Sequence, residues 1–298
     1  MKQDDNMEYA IALDVGGSKM TTCLVDETGK IIDGERRLTD APEGRRKVLL
    51  NIISEIKKMM DKHKDISVKG IGIGMPGFID SKGKVVFMPN VPLVGFNIVN
   101  KLNKRFKCPV AVENDANCFA LGEYSFGRHK SKVLLGLIVG TGVGCGIVSN
   151  GKLISGCGGG AGEIGHNLLD NSTDKLVVKK NDFESVCSGP NISRRYSEAG
   201  GKDTIPKQVF AAKDHAARKV IDDEYNCLGK LLGSMVNTLN PDTIVLGGSV
   251  SKSLKPGRLR KEIVKYSIPF SAKLVKVKQS RLDDIAGVLG AAALIFEQ

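Results

Sequence analysis

Tryptophan is absent from the 298-residue chain, and aromatic residues make up only 5% of it. No aromatic signature of an RNA-binding module is present, and neither is a basic tail or a Cys/His finger spacing. No run of 18 or more apolar residues occurs, so the sequence predicts no membrane span. The N-terminal "MKQDDNMEYA" carries two aspartates and no apolar stretch, which does not fit a signal peptide. Closely paired cysteines are missing too. The seven present, Cys23, Cys108, Cys118, Cys145, Cys157, Cys187 and Cys227, are widely spaced and odd in number. A chain this long has no need of disulfide staples, so they read as reduced thiols of a cytoplasmic protein.

What is present fits an ordinary globular protein of one large or two ordinary domains, with 41% hydrophobic and 26% charged residues. The formal net charge of +11 favours anionic partners in general. The Lys and Arg are spread along the chain, which speaks for solvated surface and against nucleic acid. Thirty-five glycines gather in "DVGGSK", "IGIGMPG", "VGTGVGCG", "SGCGGGAGEIG" and "VLGGSV". Such segments turn sharply or let backbone approach a ligand.

The pattern of a strand, a Gly-rich turn, a second strand, a tight turn and a third strand begins at "YAIALDV" and recurs 124 positions later at "VLLGLIVGTGVGCGIVSNGKLISG". This is an internal duplication. "RRKVLLNIISEIKKMMDKH" has the apolar spacing of a helix buried on one side, with Val48, Leu49, Ile52, Ile53, Ile56, Met59 and Met60. Next come the strand "VKGIGIGM", a Pro-rich excursion from Pro76 to Pro92, a helix near "FNIVNKLNKRF" and the strand "CPVAVEN". Later, Ala211 to Asn237 reads as largely helical, "DTIVLGG" as a strand, and "DIAGVLGAAALIFEQ" as a small-residue amphipathic helix. Alternating strands and helices in two related halves predict an α/β protein of two lobes with a central cleft.

Four stretches carry chemistry. "LDVGGSK" puts Asp14 before a turn whose N–H groups can cradle phosphate, although a plain hairpin turn has the same look. "GTGVGCG" is the equivalent turn, with Ile138 in place of the acid. One carboxylate to hold Mg²⁺ through water, beside two sets of amides, suits a metal-bound polyphosphate. "GAGEIGH" sets Glu163 and His166 three residues apart in a tight loop, able to bind metal, exchange protons or bond hydroxyls. In "VAVENDANC", Asn114 or Asp115 can cap the following helix, or Asp115 can take a proton from a substrate hydroxyl.

Taken in order, Asp-x-Gly-Gly-Ser-Lys, Met-Pro-Gly, Glu-Asn-Asp-Ala-Asn, Gly-Thr-Gly-x-Gly-x-Gly, Gly-Glu-Ile-Gly-His and Leu-Gly-Gly-Ser-Val resemble the ROK family of sugar kinases and sugar-responsive repressors. The match runs from about Tyr9 to Ala293. The resemblance implies the actin-like ATPase (ribonuclease H-like) fold. A smaller lobe of residues 1–118 with a C-terminal helix 287–298, and a larger lobe of 119–286, are the expected division. It implies an ATP-dependent kinase acting on the C6 hydroxyl of a sugar. Glucose is the first expectation, an N-acetylhexosamine such as N-acetylmannosamine or fructose the alternative. Asp14, Gly16, Gly17, Ser18 and Lys19 would form one phosphate loop, and Gly140, Thr141, Gly142 and Gly144 the other. Gly247 and Gly248 would lie against the adenosine, with Mg²⁺ bridging the ATP phosphates. Asp115 would be the general base. Asn114, Glu163, His166, Glu184, Gly77 and Asn90 would meet the sugar. A homodimer is expected by analogy with the family. Its repressors carry a helix-turn-helix ahead of the first phosphate loop, and only 13 residues precede Asp14 here.

The chain departs from the family where kinases usually carry three cysteines that, with the histidine, hold a structural zinc. Here the span is "NLLDNSTDKLVVKKNDFE", without cysteine, and Cys187 lies alone beyond Glu184. One ligand in four does not make a tetrahedral zinc site. The spacing from His166 to Glu184 is kept, so the loop is expected to be held by Leu168, Leu169, Leu176, Val177 and Val178, with Glu184 still reaching the sugar and both nitrogens of His166 available. Metal analysis of the purified protein is expected to find no stoichiometric zinc; one zinc per chain overturns this reading.

Overall fold

A computed structural model describes residues 7–169 and 181–297. The chain divides into two compact units. The first runs to His129 and takes in Leu153–Ala161 and the stretch from Asp284 onward; the second comprises Lys130–Lys152 and Gly162–Asp283.

In the first unit, three strands meander antiparallel: β1 (Tyr9–Val15), β2 (Lys19–Asp26) and β3 (Ile31–Leu38). Helix α1 (Arg45–Lys62) leads to β4 (Val68–Met75), which pairs parallel with β1. The Pro-rich excursion holds a small hairpin of β5 (Phe78–Ile79) and β6 (Val85–Phe87), and helix α2 (Ile98–Phe106) comes after it. Strand β7 (Val110–Asn114) then joins β4 in parallel, and helix α3 (Asp115–Ser125) starts at its end. The sheet order is β3-β2-β1-β4-β7.

The second unit repeats this plan. Strands β8 (Val133–Val139), β9 (Val143–Ser149) and the short β10 (Lys152–Leu153) are followed by helices α4 (Glu184–Cys187), α5 (Gly189–Glu198), α6 (Pro206–Ala211) and α7 (His215–Leu239). Strand β11 (Thr243–Gly247), helices α8 (Pro256–Lys265) and α9 (Pro269–Leu274), and β12 (Lys276–Gln279) complete it, in the order β10-β9-β8-β11-β12. Strand β8 begins and ends 124 positions after β1, so the repeat read from the sequence is a repeat of structure. The third strand has diverged most: β3 has eight residues and β10 two.

Helix α1 buries Val48, Ile52, Ile56 and Met59 on one side, the face its periodicity predicts. Each such side chain contributes about 2 kcal/mol on burial. Asn51 and Glu55 are buried there as well, and both accept hydrogen bonds from Arg37, at 3.1 Å each. The largely helical stretch expected from Ala211 to Asn237 is α7, which begins at His215 and runs to Leu239. Asp214 accepts the Ala217 N–H at 2.8 Å and starts α7 afresh, leaving α6 as a separate turn.

The last helix, α10 (Ala286–Phe296), returns to the first unit and corrects the sequence reading. It is not amphipathic: Ala286, Val288, Leu289, Gly290, Ala291, Ala292, Ala293 and Ile295 are all buried. Its small residues serve close approach. A Cβ on Gly290 would stand 1.7 Å from the Cys118 carbonyl oxygen, one on Gly72 of β4 1.7 Å from the Ala291 oxygen, and one on Gly122 of α3 2.2 Å from the Ala286 oxygen. The apolar clasp expected around the segment after His166 is also changed. Leu168 is 66% exposed, Leu169 packs against the second core, and Leu176, Val177 and Val178 lie outside the described residues.

In an open helix, Gly→Ala stabilises by up to about 1 kcal/mol. Gly290→Ala is expected to do the reverse and destabilise by about 3 kcal/mol, through forced separation of α3 and α10. Gly257→Ala in α8, where nothing lies within 4 Å, is expected to be neutral or slightly stabilising. Denaturant unfolding of the two variants against the parent checks the contrast.

Candidate functional site

Strands β1, β4 and β7 run parallel, so Asp14, Met75 and Asn114 reach the same edge of the first sheet. The carboxyl edge of an α/β sheet is where loops gather into sites. Asp14 is the last residue but one of β1, and Gly16–Ser18 form the turn into β2. The Gly16 N–H donates to the Lys19 oxygen at 2.9 Å. Buried Thr39 ties the turn down from β3's end: its hydroxyl donates to the Gly16 oxygen at 2.6 Å and its N–H to the Ser18 oxygen at 3.0 Å. Asn51 of α1 in turn donates to the Thr39 oxygen at 3.2 Å. Asn90 backs the turn, since a Cβ on Gly17 would lie 2.8 Å from the Asn90 Cβ. Ser18 and Lys19 face solvent.

At the end of β7 the three residues Glu113, Asn114 and Asp115 separate in role. Asn114 is the N-cap of α3; its Oδ1 accepts the N–H of Ala116 at 2.8 Å and of Asn117 at 3.3 Å. Its Nδ2 donates to the Gly77 oxygen at 3.1 Å, which anchors the Met-Pro-Gly turn. Gly77 needs to be glycine, with φ +106° and a would-be Cβ 2.1 Å from the Phe87 oxygen. Glu113 is a brace. One carboxylate oxygen accepts from the Asn114 N–H (2.8 Å) and Asn117 Nδ2 (3.0 Å), the other from Ser155 Oγ (2.8 Å), so it holds the glycine-rich stretch after Ser155. Asp115 accepts the Ala116 N–H at 2.9 Å on Oδ1.

Burial pushes the Asp115 carboxyl above the usual range, partly offset by the Ala116 N–H. Asp14 is pushed up to about 6, by burial first and by the Asp115 charge second, with Arg36 opposing. The Asp14 carboxylate lies against Gly287, whose Cβ would stand 3.3 Å from Oδ2.

In the second unit, Gly140, Thr141 and Gly142 form the turn from β8 to β9. The Gly140 N–H donates to the Gly142 oxygen at 2.9 Å, and the Gly140 oxygen accepts the Gly189 N–H at 2.7 Å. Gly144 lies opposite Ile138, and Gly247 pairs with Ile138 from the other side. Gly248, at φ +88°, turns so close that a Cβ would meet the Val139 oxygen at 2.5 Å. Glu184 backs the turn: its Oε2 accepts the Val143 N–H at 2.8 Å and would lie 2.6 Å from a Cβ on Gly142. One of its oxygens is therefore committed to the β8–β9 turn.

Gly162 and Gly165 press the Glu163–His166 loop onto β9, with would-be Cβ atoms 1.9 Å from the Cys145 oxygen and 2.3 Å from the Val143 oxygen. His166 Nε2 stands 3.9 Å from Glu163 Oε2. Its Nδ1, one of the two nitrogens the sequence reading left available for hydrogen bonds, meets Asp182 Oδ2 at 3.0 Å. That hydrogen bond raises the His166 pKa, against an opposing effect of burial. Thr39, Ser155 and Asp182 are the supporting residues that sequence reading missed. Thr39 and Ser155 look like ordinary strand and turn residues, and Asp182 sits at the far end of a segment without recognisable motif.

The model of the ROK family matches residues 10–298. This chain belongs to the ROK family. It is 32% identical to a glucokinase of Halalkalibacterium halodurans over 97% of this chain and 96% of that one. It is 31% identical to an N-acetyl-D-glucosamine kinase of Histophilus somni over 96% and 98%. Among solved structures, a ROK family glucokinase from Streptomyces griseus in complex with glucose and AMPPNP superposes with a TM-score of 0.79, at 26% identity, covering 97% of this chain and 100% of that one. The duplicated sheets of this ROK chain are those of the actin-like ATPase fold.

The raised Asp14 pKa makes a stability prediction for the ligand-free ROK protein. The fold holds the protonated acid more readily than the unfolded chain does. The associated stability is full below pH 4 and is lost as pH rises through about 6. Asp14→Asn is therefore expected to match the parent near pH 4 and to exceed it by about 2 kcal/mol at pH 8. Thermal unfolding of both proteins from pH 4 to 8 measures the difference.

Proposed function

We propose that this chain is an ATP-dependent kinase that phosphorylates the C6 hydroxyl of a hexose, with glucose as the preferred acceptor. The observation that carries the reading is Asp115: a partly buried carboxylate at the carboxyl edge of a parallel sheet, one oxygen uncommitted, beside a turn able to hold phosphate. Family membership and the glucokinase relative support it.

Asp115 accepts the proton of the attacking hydroxyl, and its raised pKa brings it nearer the working pH as a base. Asn114 fixes the start of α3 and thereby the position of that carboxylate. The Gly16–Lys19 and Gly140–Gly144 turns present backbone N–H groups to phosphate oxygens. A divalent cation carried on the nucleotide supplies charge neutralisation, and Asp14 is the carboxylate that would hold it through water. Glu163 and His166 Nε2 bond sugar hydroxyls. Catalysis is chiefly alignment and charge stabilisation. The two units are proposed as the two lobes that carry these halves.

An N-acetylhexosamine is the second reading. It is supported by the N-acetyl-D-glucosamine kinase relative and by the open space at Gly158 and Gly160, where an added Cβ would meet nothing within 4 Å.

A coupled ADP-release assay with glucose, N-acetylglucosamine, N-acetylmannosamine, mannose and fructose is expected to give the highest kcat/KM for glucose. Asp115→Asn is expected to lower kcat by about 10³-fold or more. Sugar binding, followed by calorimetry because the chain has no tryptophan, should stay within a few-fold. Unchanged turnover in the variant would sink the assignment.

A further inference from the structure

His166 closes a three-residue turn, Ile164–His166, and its side chain is 48% exposed. Packing alone therefore does not fix its ring. Asp182 does the opposite: its side chain is 3% exposed, and both carboxylate oxygens are engaged. Oδ2 meets His166 Nδ1 at 3.0 Å, while Oδ1 accepts the Ser185 N–H at 2.8 Å at the start of α4. The Ser185 hydroxyl donates back to the Asp182 carbonyl at 2.7 Å.

The backbone enforces this meeting. The Leu169 N–H donates to the Asn181 oxygen at 2.7 Å, the Phe183 N–H to the Asn167 oxygen at 3.2 Å, and Leu168 and Asp182 bridge antiparallel. Residues 167–169 and 181–183 are thus paired in register, which places Asp182 beside His166 although sixteen positions separate them.

A carboxylate accepts hydrogen bonds and, when ionised, donates none. Facing Nδ1, it selects the form in which that nitrogen carries the hydrogen. In the neutral ring Nε2 is then the acceptor, on the side of Glu163. We propose that Asp182 is a positioning residue of the sugar site, which fixes the His166 tautomer and aims Nε2 at a sugar hydroxyl. The sugar half of this statement rests on the function proposed above; the tautomer half does not.

The test has two arms. Nitrogen-15 NMR of histidine-labelled protein at pH 9, with His166 assigned by its loss in His166→Ala, is expected to show Nδ1 protonated and Nε2 bare. In Asp182→Asn the amide keeps an oxygen for the Ser185 N–H but can turn its NH₂ to Nδ1, so the proton is expected to move to Nε2. In kinetics, Asp182→Asn is expected to raise the sugar KM about tenfold while the ATP KM stays within twofold, a loss typical of removing a partner that orients a ligand group. Asp182→Glu should restore part of the sugar KM. A parent His166 protonated at Nε2 overturns the proposal, whether or not the chain phosphorylates a sugar and whether or not the variants fold. Equal rises in both KM values also overturn it, since they mark general damage around α4. If the parent shows the expected tautomer but none of the five sugars is phosphorylated, the function fails and the tautomer assignment stands.

Discussion

Backbone lies directly on backbone where α10 crosses β4 and α3. At Gly72, Gly122 and Gly290 there is no room for even one carbon more, so the distance between these elements is set by the main chain itself. Much of the first unit's chemistry hangs on that distance. Asp115 is the first residue of α3, and α10 meets Asp14 at Gly287. A helix that supplies no proposed catalytic group thus sets the positions of both acids, in a type of site where a 1 Å error costs about a hundredfold in rate.

The same closeness has an electrostatic consequence. Burial raises the cost of ionising both Asp14 and Asp115, the Asp115 charge adds to it at Asp14, and Arg36 offers only partial relief there. The ligand-free unit therefore holds unfavourable charge that a cation would relieve. Glu113, two residues before Asp115, accepts three hydrogen bonds. Two carboxylates two residues apart in sequence thus differ in setting, Glu113 with three hydrogen-bond donors and Asp115 with the Ala116 N–H on Oδ1.

The architecture was legible wherever local pattern and global fold agree. The 124-residue repeat, the buried face of α1, the strands around both Gly-rich turns and a cap at Asn114 or Asp115, which the structure gives to Asn114, can all be read from residue types and spacing. Helix α10 was misread because Gly and Ala on all faces mimic a weak amphipathic pattern; only the structure shows main chain on two sides of it. Supporting contacts across long sequence separations were out of reach. Thr39 reaches Gly16 from the end of a separate strand, and Asp182 reaches His166 through the register of two paired segments. No local spacing announces either one.

That register also explains why Glu184 does not stand as free as its motif suggests. Within eight residues, Asp182 holds His166, Glu184 holds the Val143 N–H, and the Gly189 N–H holds the Gly140 oxygen. The short helix between them, α4, is anchored to the rest of the unit by Arg195, which donates to the Val186 carbonyl at 3.1 Å and to the buried Glu224 of α7 at 3.0 Å. A shift of this segment cannot move the histidine without also moving the β8–β9 turn. Hydrogen bonds that hold both at once make the segment a link between the Glu163–His166 loop and the β8–β9 turn, through main chain and the carboxylates of Asp182 and Glu184.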